Sequence, residues 1–136
     1  MQKHAYLIIA HNNFYILEKL LKLIDDDRND IYIHIDKKVN NFNFSYFNNL
    51  CCKSNVKFID RIKVYWGGYS QVQCELNLLK EAIGNNYEYY HLLSGVDLPI
   101  KDQDYIHDFF EQNNGTEFVR FTKNKWDYNR VSKKHF

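Results

Sequence analysis

The chain has 136 residues, 45% of them hydrophobic and 17% aromatic, which is one domain's worth of sequence with ample material for a core. Its formal net charge of +1 gives no electrostatic case for nucleic acid or for an anionic membrane surface. No apolar run approaches the length of a membrane span, and Cys51, Cys52 and Cys74, without metal-ligand or framework spacing, argue for free thiols in a reducing compartment.

Met1-Gln2-Lys3-His4 leads at once into Ala5-Tyr6-Leu7-Ile8-Ile9-Ala10. This apolar run is too short and too soon followed by polar residues for a signal peptide. Its length and β-branched content predict a strand buried on both faces. After His11-Asn12-Asn13, the residues Phe14, Leu17, Leu20, Leu21 and Ile24 recur at helical spacing and predict an amphipathic helix over 13–24. Residues 25–30 read as a solvated turn. Ile31 to Ile35 alternates as a second strand ending at Asp36. Residues 37–54 are polar and Asn-rich, with Phe42, Phe44, Phe47 and Leu50 anchoring a short helix.

Val56 to Ile59 is a third strand, and Val64-Tyr65 a candidate for another, ending in Trp66-Gly67-Gly68. Ser70 is suited to cap the next helix. Val72, Leu76, Leu79 and Ile83 form that helix's apolar stripe, with Leu78 and Ala82 beside it and Cys74 just past it. Tyr87 to Leu93 predicts a strand and Ser94 to Pro99 a loop. Asp102 caps a helix through Phe110, which Asn113-Asn114-Gly115 stops. Glu117 to Phe121 is expected as a last strand, and Thr122 to Phe136 is polar and basic without a clear period. This order predicts an α/β domain with a largely parallel sheet over 1–121, and the start of a further region over 122–136.

In open α/β sheets, ligands bind at the carboxyl ends of the strands. Here His11, Asp36, Trp66-Gly67-Gly68 and Ser94-Gly95-Val96-Asp97 fall at such ends. Asp36 suits a uracil edge or a ribose, and equally a helix cap or an ion pair with Lys37 or Lys38. His11 suits a base or phosphate, or a structural role. Gly67 and Gly68 suit close ligand approach or a tight turn. Trp66 suits base stacking or a core. Asp97 suits a donor site or a turn closed on its own backbone. His91 reads as core, and His4, His107 and His135 carry no supporting pattern. His11, His34, Asp36 and Asp97 together give a metal-dependent phosphoester hydrolase as an alternative, although no second ligand lies at metal spacing near His11 or Asp97. There is no Gly-rich phosphate loop, no G-x-S-x-G and no HExxH, and no cysteine has a visible base.

Four segments, taken in order, resemble the core-2/I-branching glycosyltransferase family: Ala5 to His11, Ile33-His34-Ile35-Asp36-Lys37-Lys38, Val64 to Val72, and Tyr90 to Lys101 with its Ser94-Gly95-Val96-Asp97-Leu98-Pro99 core. The resemblance implies a Rossmann-like, modified GT-A-type nucleotide-sugar-binding domain. It implies an inverting transferase moving N-acetylglucosamine or xylose from a UDP-sugar to a glycan or hydroxyl acceptor, with no metal or other cofactor. In that family His11 and Asp36 match positions on the uridine, Ile9 lines the same pocket, and Asp97 lies near the donor. Glu117, Lys123, Lys125 and Arg130 fall in acceptor-contacting regions. The general base and the diphosphate-binding Arg and Lys are expected beyond Phe136, so the chain reads as a fragment prone to self-association, or alternatively as a non-catalytic nucleotide-sugar-binding module. Lacking the anchor and cysteine framework of animal members, it is expected to be a bacterial, cytoplasmic relative working in polysaccharide biosynthesis, with no nucleic-acid partner and no membrane span.

Overall fold

The computed structural model of the protein describes residues 3–119. Four strands, β1 (His4–Ala10), β2 (Asn29–Ile35), β3 (Asn55–Phe58) and β4 (Tyr89–Ser94), form one parallel sheet in the order β3-β2-β1-β4. β1 is central, and its residue Ile9 is level with His34 on one side and Ser94 on the other. Alternation along the strands divides the core into two layers. Tyr6, Ile8, Ala10, Ile31, Ile33 and Ile35 pack against α1 (Phe14–Ile24) through Leu17, Leu20, Leu21 and Ile24, with Phe47 of α2 (Phe44–Asn48) closing the edge. Ala5, Leu7 and Tyr32 pack on the opposite face against Cys74, Leu78 and Ala82 of α3 (Tyr69–Ala82). The apolar run of β1 is thus buried on both sides.

α4 (Gln103–Gln112) begins at Asp102, whose side chain accepts the Tyr105 N–H at 2.8 Å. It lies on the α1 side. The His107 Nε2–H donates to Asn29 Oδ1 at 2.8 Å, and Asn29 Nδ2 donates to Gln103 Oε1 at 2.7 Å. His4 Nδ1 comes within 3.1 Å of His91 Nε2, and the His4 and His107 ring centroids lie 4.1 Å apart with the planes tilted by 34°. His4 and His107, which carry no pattern in the sequence, therefore join His91 in one cluster. Burial pushes all three rings below the ordinary imidazole range, His4 to about 3 and His91 to about 4.

Several expectations need correction. Val64-Tyr65 is not a strand, because Lys38 and Ser70 engage its backbone instead of a neighbouring strand. Gly68, not Ser70, occupies the cap position of α3, and the Ser70 hydroxyl accepts the Tyr65 N–H at 2.7 Å. The stripe expected to be buried on this helix faces out, with Val72 and Leu76 about half exposed, and Ile83, in the 3-10 turn just past Ala82, 68% exposed. Cys74, expected just past the apolar face, is at its centre. The turn at residues 25–30 is anchored: the Asp25 carboxylate accepts the N–H groups of Cys52, Lys53 and Ser54. Glu117 to Val119 form no strand, while Phe118 packs on Phe109 and Phe110. Arg120 and Phe121 lie outside the described residues.

Candidate functional site

The strand connections run from β1 outward to β2 and β3, and the chain then crosses back to place β4 on the other side of β1. The sheet therefore has its topological switch point between β1 and β4, where α/β sheets open a crevice at their carboxyl ends. A cleft of about 430 Å³ lies there. Ile9, Val64, Leu92 and Leu93 supply its apolar lining, and His11, Asp36, Lys38, Gln71, Glu75 and Ser94 its polar groups. An apolar cavity with a few fixed polar groups is the usual form of a small-molecule site.

Asp36 follows β2 and is 4% exposed. Its Oδ1 accepts the Lys38 N–H at 2.8 Å and the Val64 N–H at 3.4 Å, and Lys38 Nζ lies 3.4 Å from Oδ2. Burial pushes the carboxyl up, but those N–H groups and the Lys38 ammonium outweigh it and hold the group below its ordinary value. Both modest readings of Asp36, a backbone cap and an ion pair with Lys38, are therefore present in a residue that also lines the cleft. Arg61, which the sequence did not single out, locks the same turn. Its guanidinium donates to the carbonyls of Ile35, Asp36 and Val39 at 2.9, 2.7 and 2.6 Å. Three carbonyls from a distant segment carry no local sequence signal, so only the folded chain exposes this role.

The opposite wall is the turn before α3. Gly67 has φ 72°, in the left-handed region, and its N–H donates to Gln71 Oε1 at 3.1 Å. This turn holds Trp66 out at the mouth, 94% exposed, so it is not the core residue of the alternative reading. Lys38 reaches this wall too, donating to the Val64 carbonyl and lying 4.5 Å over the Tyr65 ring. On the β4 side, the Gly95 N–H donates to the Ile9 carbonyl at 2.8 Å. A Cβ at Gly95 would meet Ala10 Cβ at 2.6 Å, so glycine here permits the approach of β4 to the end of β1.

Of the sequence-predicted residues, Ile9, His11 and Asp36 thus meet in one cleft. Asp97 does not line it. Its Oδ2 accepts the Ser94 N–H at 2.8 Å, and it borders a second cavity of about 320 Å³ with Leu98, Pro99 and Phe109. Glu117 lies past the end of α4, exposed, and Lys123, Lys125 and Arg130 lie outside the described residues. His34 is fully buried; burial lowers its pKa, and its Nε2 accepts the Ile62 N–H at 3.0 Å. Among the described residues, no three His, Cys, Asp or Glu side chains come together as metal ligands. The set His11, His34, Asp36 and Asp97 is divided by this placement.

The family model for the core-2/I-branching enzyme matches residues 4–136. The chain belongs to that family. A beta-1,3-galactosyl-O-glycosyl-glycoprotein beta-1,6-N-acetylglucosaminyltransferase of Homo sapiens is 34% identical over 101 residues, which are 71% of this chain and 24% of that protein. A probable beta-1,3-galactosyl-O-glycosyl-glycoprotein beta-1,6-N-acetylglucosaminyltransferase 7 of Sus scrofa is 24% identical over 133 residues, 94% of this chain and 28% of its own. Xylosyltransferase 2 of Mus musculus is 25% identical over 121 residues, 85% of this chain and 14% of its own. The chain spans about a quarter of the length of the first two relatives.

These relatives overturn one expectation. The expectation of a bacterial, cytoplasmic relative is not met, because the matches are mammalian transferases. The inference failed because a core-2/I-branching chain covering so small a share of its relatives carries no information on what flanks the matched part. No helix among the described residues is long and apolar enough to cross a membrane.

Proposed function

We propose that this chain forms the donor-nucleotide-binding part of an inverting glycosyltransferase that moves N-acetylglucosamine or xylose from a UDP-sugar to a glycan or hydroxyl acceptor. The observation that carries this reading is the convergence of Ile9, His11 and Asp36, from the ends of two strands, in the cleft at the switch point. The described side chains bind and orient. Trp66 offers an exposed ring for stacking a base at the cleft mouth. Asp36, locked by Lys38 and Arg61, fixes the turn against which the nucleoside rests. His11 and Lys38 supply the positive or hydrogen-bond-donating side that an anionic ligand needs. Asp97 acts through Ser94, keeping the end of β4 in place.

In this reading the proton-accepting base lies beyond Phe136, and basic side chains rather than a metal neutralise the diphosphate. Titration calorimetry of UDP in EDTA tests the binding half. Heat that persists with the chelator, and an affinity about tenfold weaker in Asp36→Ala, is the expected result. A folded wild-type protein that takes up no UDP would overturn the reading for this chain. Exposed Val72 and Leu76 on α3 and Ile83 just past its end also support weak self-association, checked by sedimentation velocity over a concentration series; a monomer throughout would remove it.

A further inference from the structure

The cleft contains a second carboxylate that the reading above does not use. Glu75 lies on α3, one turn beyond Gln71, and lines the same cleft as Asp36. Its backbone has no freedom to swing away, because its neighbours Cys74 and Leu78 are fully buried against the sheet. The side chain is partly exposed, and no ion pair among the described residues engages it. The contrast with Asp36 is direct. The Asp36 carboxylate is already occupied by two backbone N–H groups and the Lys38 ammonium, and little of it reaches the surface. Gln71 has committed its oxygen to the Gly67 N–H, which leaves its two N–H donors for other partners. Of the two carboxylates lining this cleft, Glu75 is the one whose oxygens have no hydrogen bond or ion pair among the described residues.

We propose that Glu75 is a specificity-determining residue of the cleft, and that the group it takes is the vicinal diol of a ribose. This rests on the donor-nucleotide reading and adds to it. An ionised carboxylate only accepts hydrogen bonds. Of the parts of a uridine diphosphate, the phosphates are anionic and are repelled by it. The uracil edge presents two carbonyl acceptors and one N–H. The ribose presents two adjacent hydroxyl donors, which a single carboxylate can engage together, as acidic residues do at the ribose in dinucleotide-binding α/β folds. Glu75 therefore also sets direction: the ribose lies toward α3, and the diphosphate is directed away from it.

The test compares UDP with 2′-deoxy-UDP, since neither carries a donor sugar whose hydroxyls could substitute. Calorimetric affinities are measured for wild type, Glu75→Ala and Glu75→Gln, with melting curves to establish that each variant is folded. Wild type is expected to prefer UDP by about tenfold, the lower range for a hydrogen bond to a charged group at a partly exposed site. Glu75→Ala is expected to bind the two nucleotides almost equally. Glu75→Gln, which keeps one acceptor oxygen, is expected to retain part of the preference, and it carries the test if the alanine variant does not fold. A preference unchanged in both variants, or absent from wild type, overturns the role of Glu75 while leaving the donor reading standing. Failure of wild type to bind UDP at all overturns both.

Discussion

Gly95 is a position where a single methyl group has nowhere to go. Its Cβ would stand 2.6 Å from that of Ala10, and Ala10 belongs to the central strand, hydrogen-bonded on both sides. Gly95→Ala is expected to cost about 1–3 kcal/mol, read as a lowered urea midpoint, and to widen the cleft enough to weaken UDP binding. Arg61 gives a second case. Removing its guanidinium takes the side-chain donor from the carbonyls of Ile35 and Val39, while that of Asp36 keeps the Val39 N–H at 2.9 Å, so Arg61→Ala should lose about 1–2 kcal/mol. Arg61→Lys should recover little, because a compact ammonium does not reproduce a planar fork aimed at three acceptors. Equal stability of the lysine variant and wild type would contradict that account. His11 and Asp36 were legible in the sequence because each directly follows a recognisable strand. Arg61 and Glu75 were not, because nothing near them in the chain indicates which turn or cleft they will face.

α3 shows how a correct element can be oriented wrongly. Its large apolar residues Val72, Leu76 and Leu79, with Ile83 just past its end, recur at helical spacing, yet the face that meets the sheet carries Cys74, Leu78 and Ala82. Two of these are small, and they let the helix approach Ala5 and Leu7 closely; side-chain size favoured the other stripe when the sequence was read alone. Leu78→Ala is therefore expected to cost about 2–5 kcal/mol, while Leu76→Ser should stay within about 0.5 kcal/mol of wild type. Chemical denaturation of the pair separates the two orientations, and a reversed ranking would restore the first one. The seam between α4 and the sheet makes a prediction about acid. His4 and His91 stay neutral until about pH 3 and pH 4, well below the ordinary value of 6.5. Between that value and pH 4 the unfolded chain binds protons that the folded chain refuses, so stability falls as pH drops through this window and is level above it. Urea midpoints measured from pH 7.5 to pH 4.5 should follow this course together with the loss from carboxylates such as Asp25 and Asp30, whose folded pKa values are lowered. The carboxylate loss sets in nearer the lower end. His91→Phe should flatten the profile between pH 6.5 and 5, and an unaltered slope there would exclude the cluster as its source.

At the scale of the molecule, the α/β class, the alternation of elements from β1 to α4 and the burial of β1 on both faces followed from apolar runs and their punctuation, whereas the strands expected at Val64-Tyr65 and from Glu117 did not form among the described residues. The strand order did not follow, because nothing in local periodicity states that β4 returns to the far side of β1 rather than extending the sheet beyond β3. That choice creates the cleft, and it also sets when the cleft can form. β1, β2 and β3 occupy the first part of the chain and can pair as soon as they are made. β4 arrives much later: the contact between His4 and His91 joins residues 87 positions apart, and long-range parallel pairing forms slowly. During synthesis on the ribosome, the growing chain would hold a three-stranded sheet whose central-strand-to-be still has one open edge, with the Ile9 carbonyl awaiting the Gly95 N–H and no site yet built. The binding cleft is thus among the last features to appear, and a nucleotide that requires it could trap only chains in which β4 has already docked.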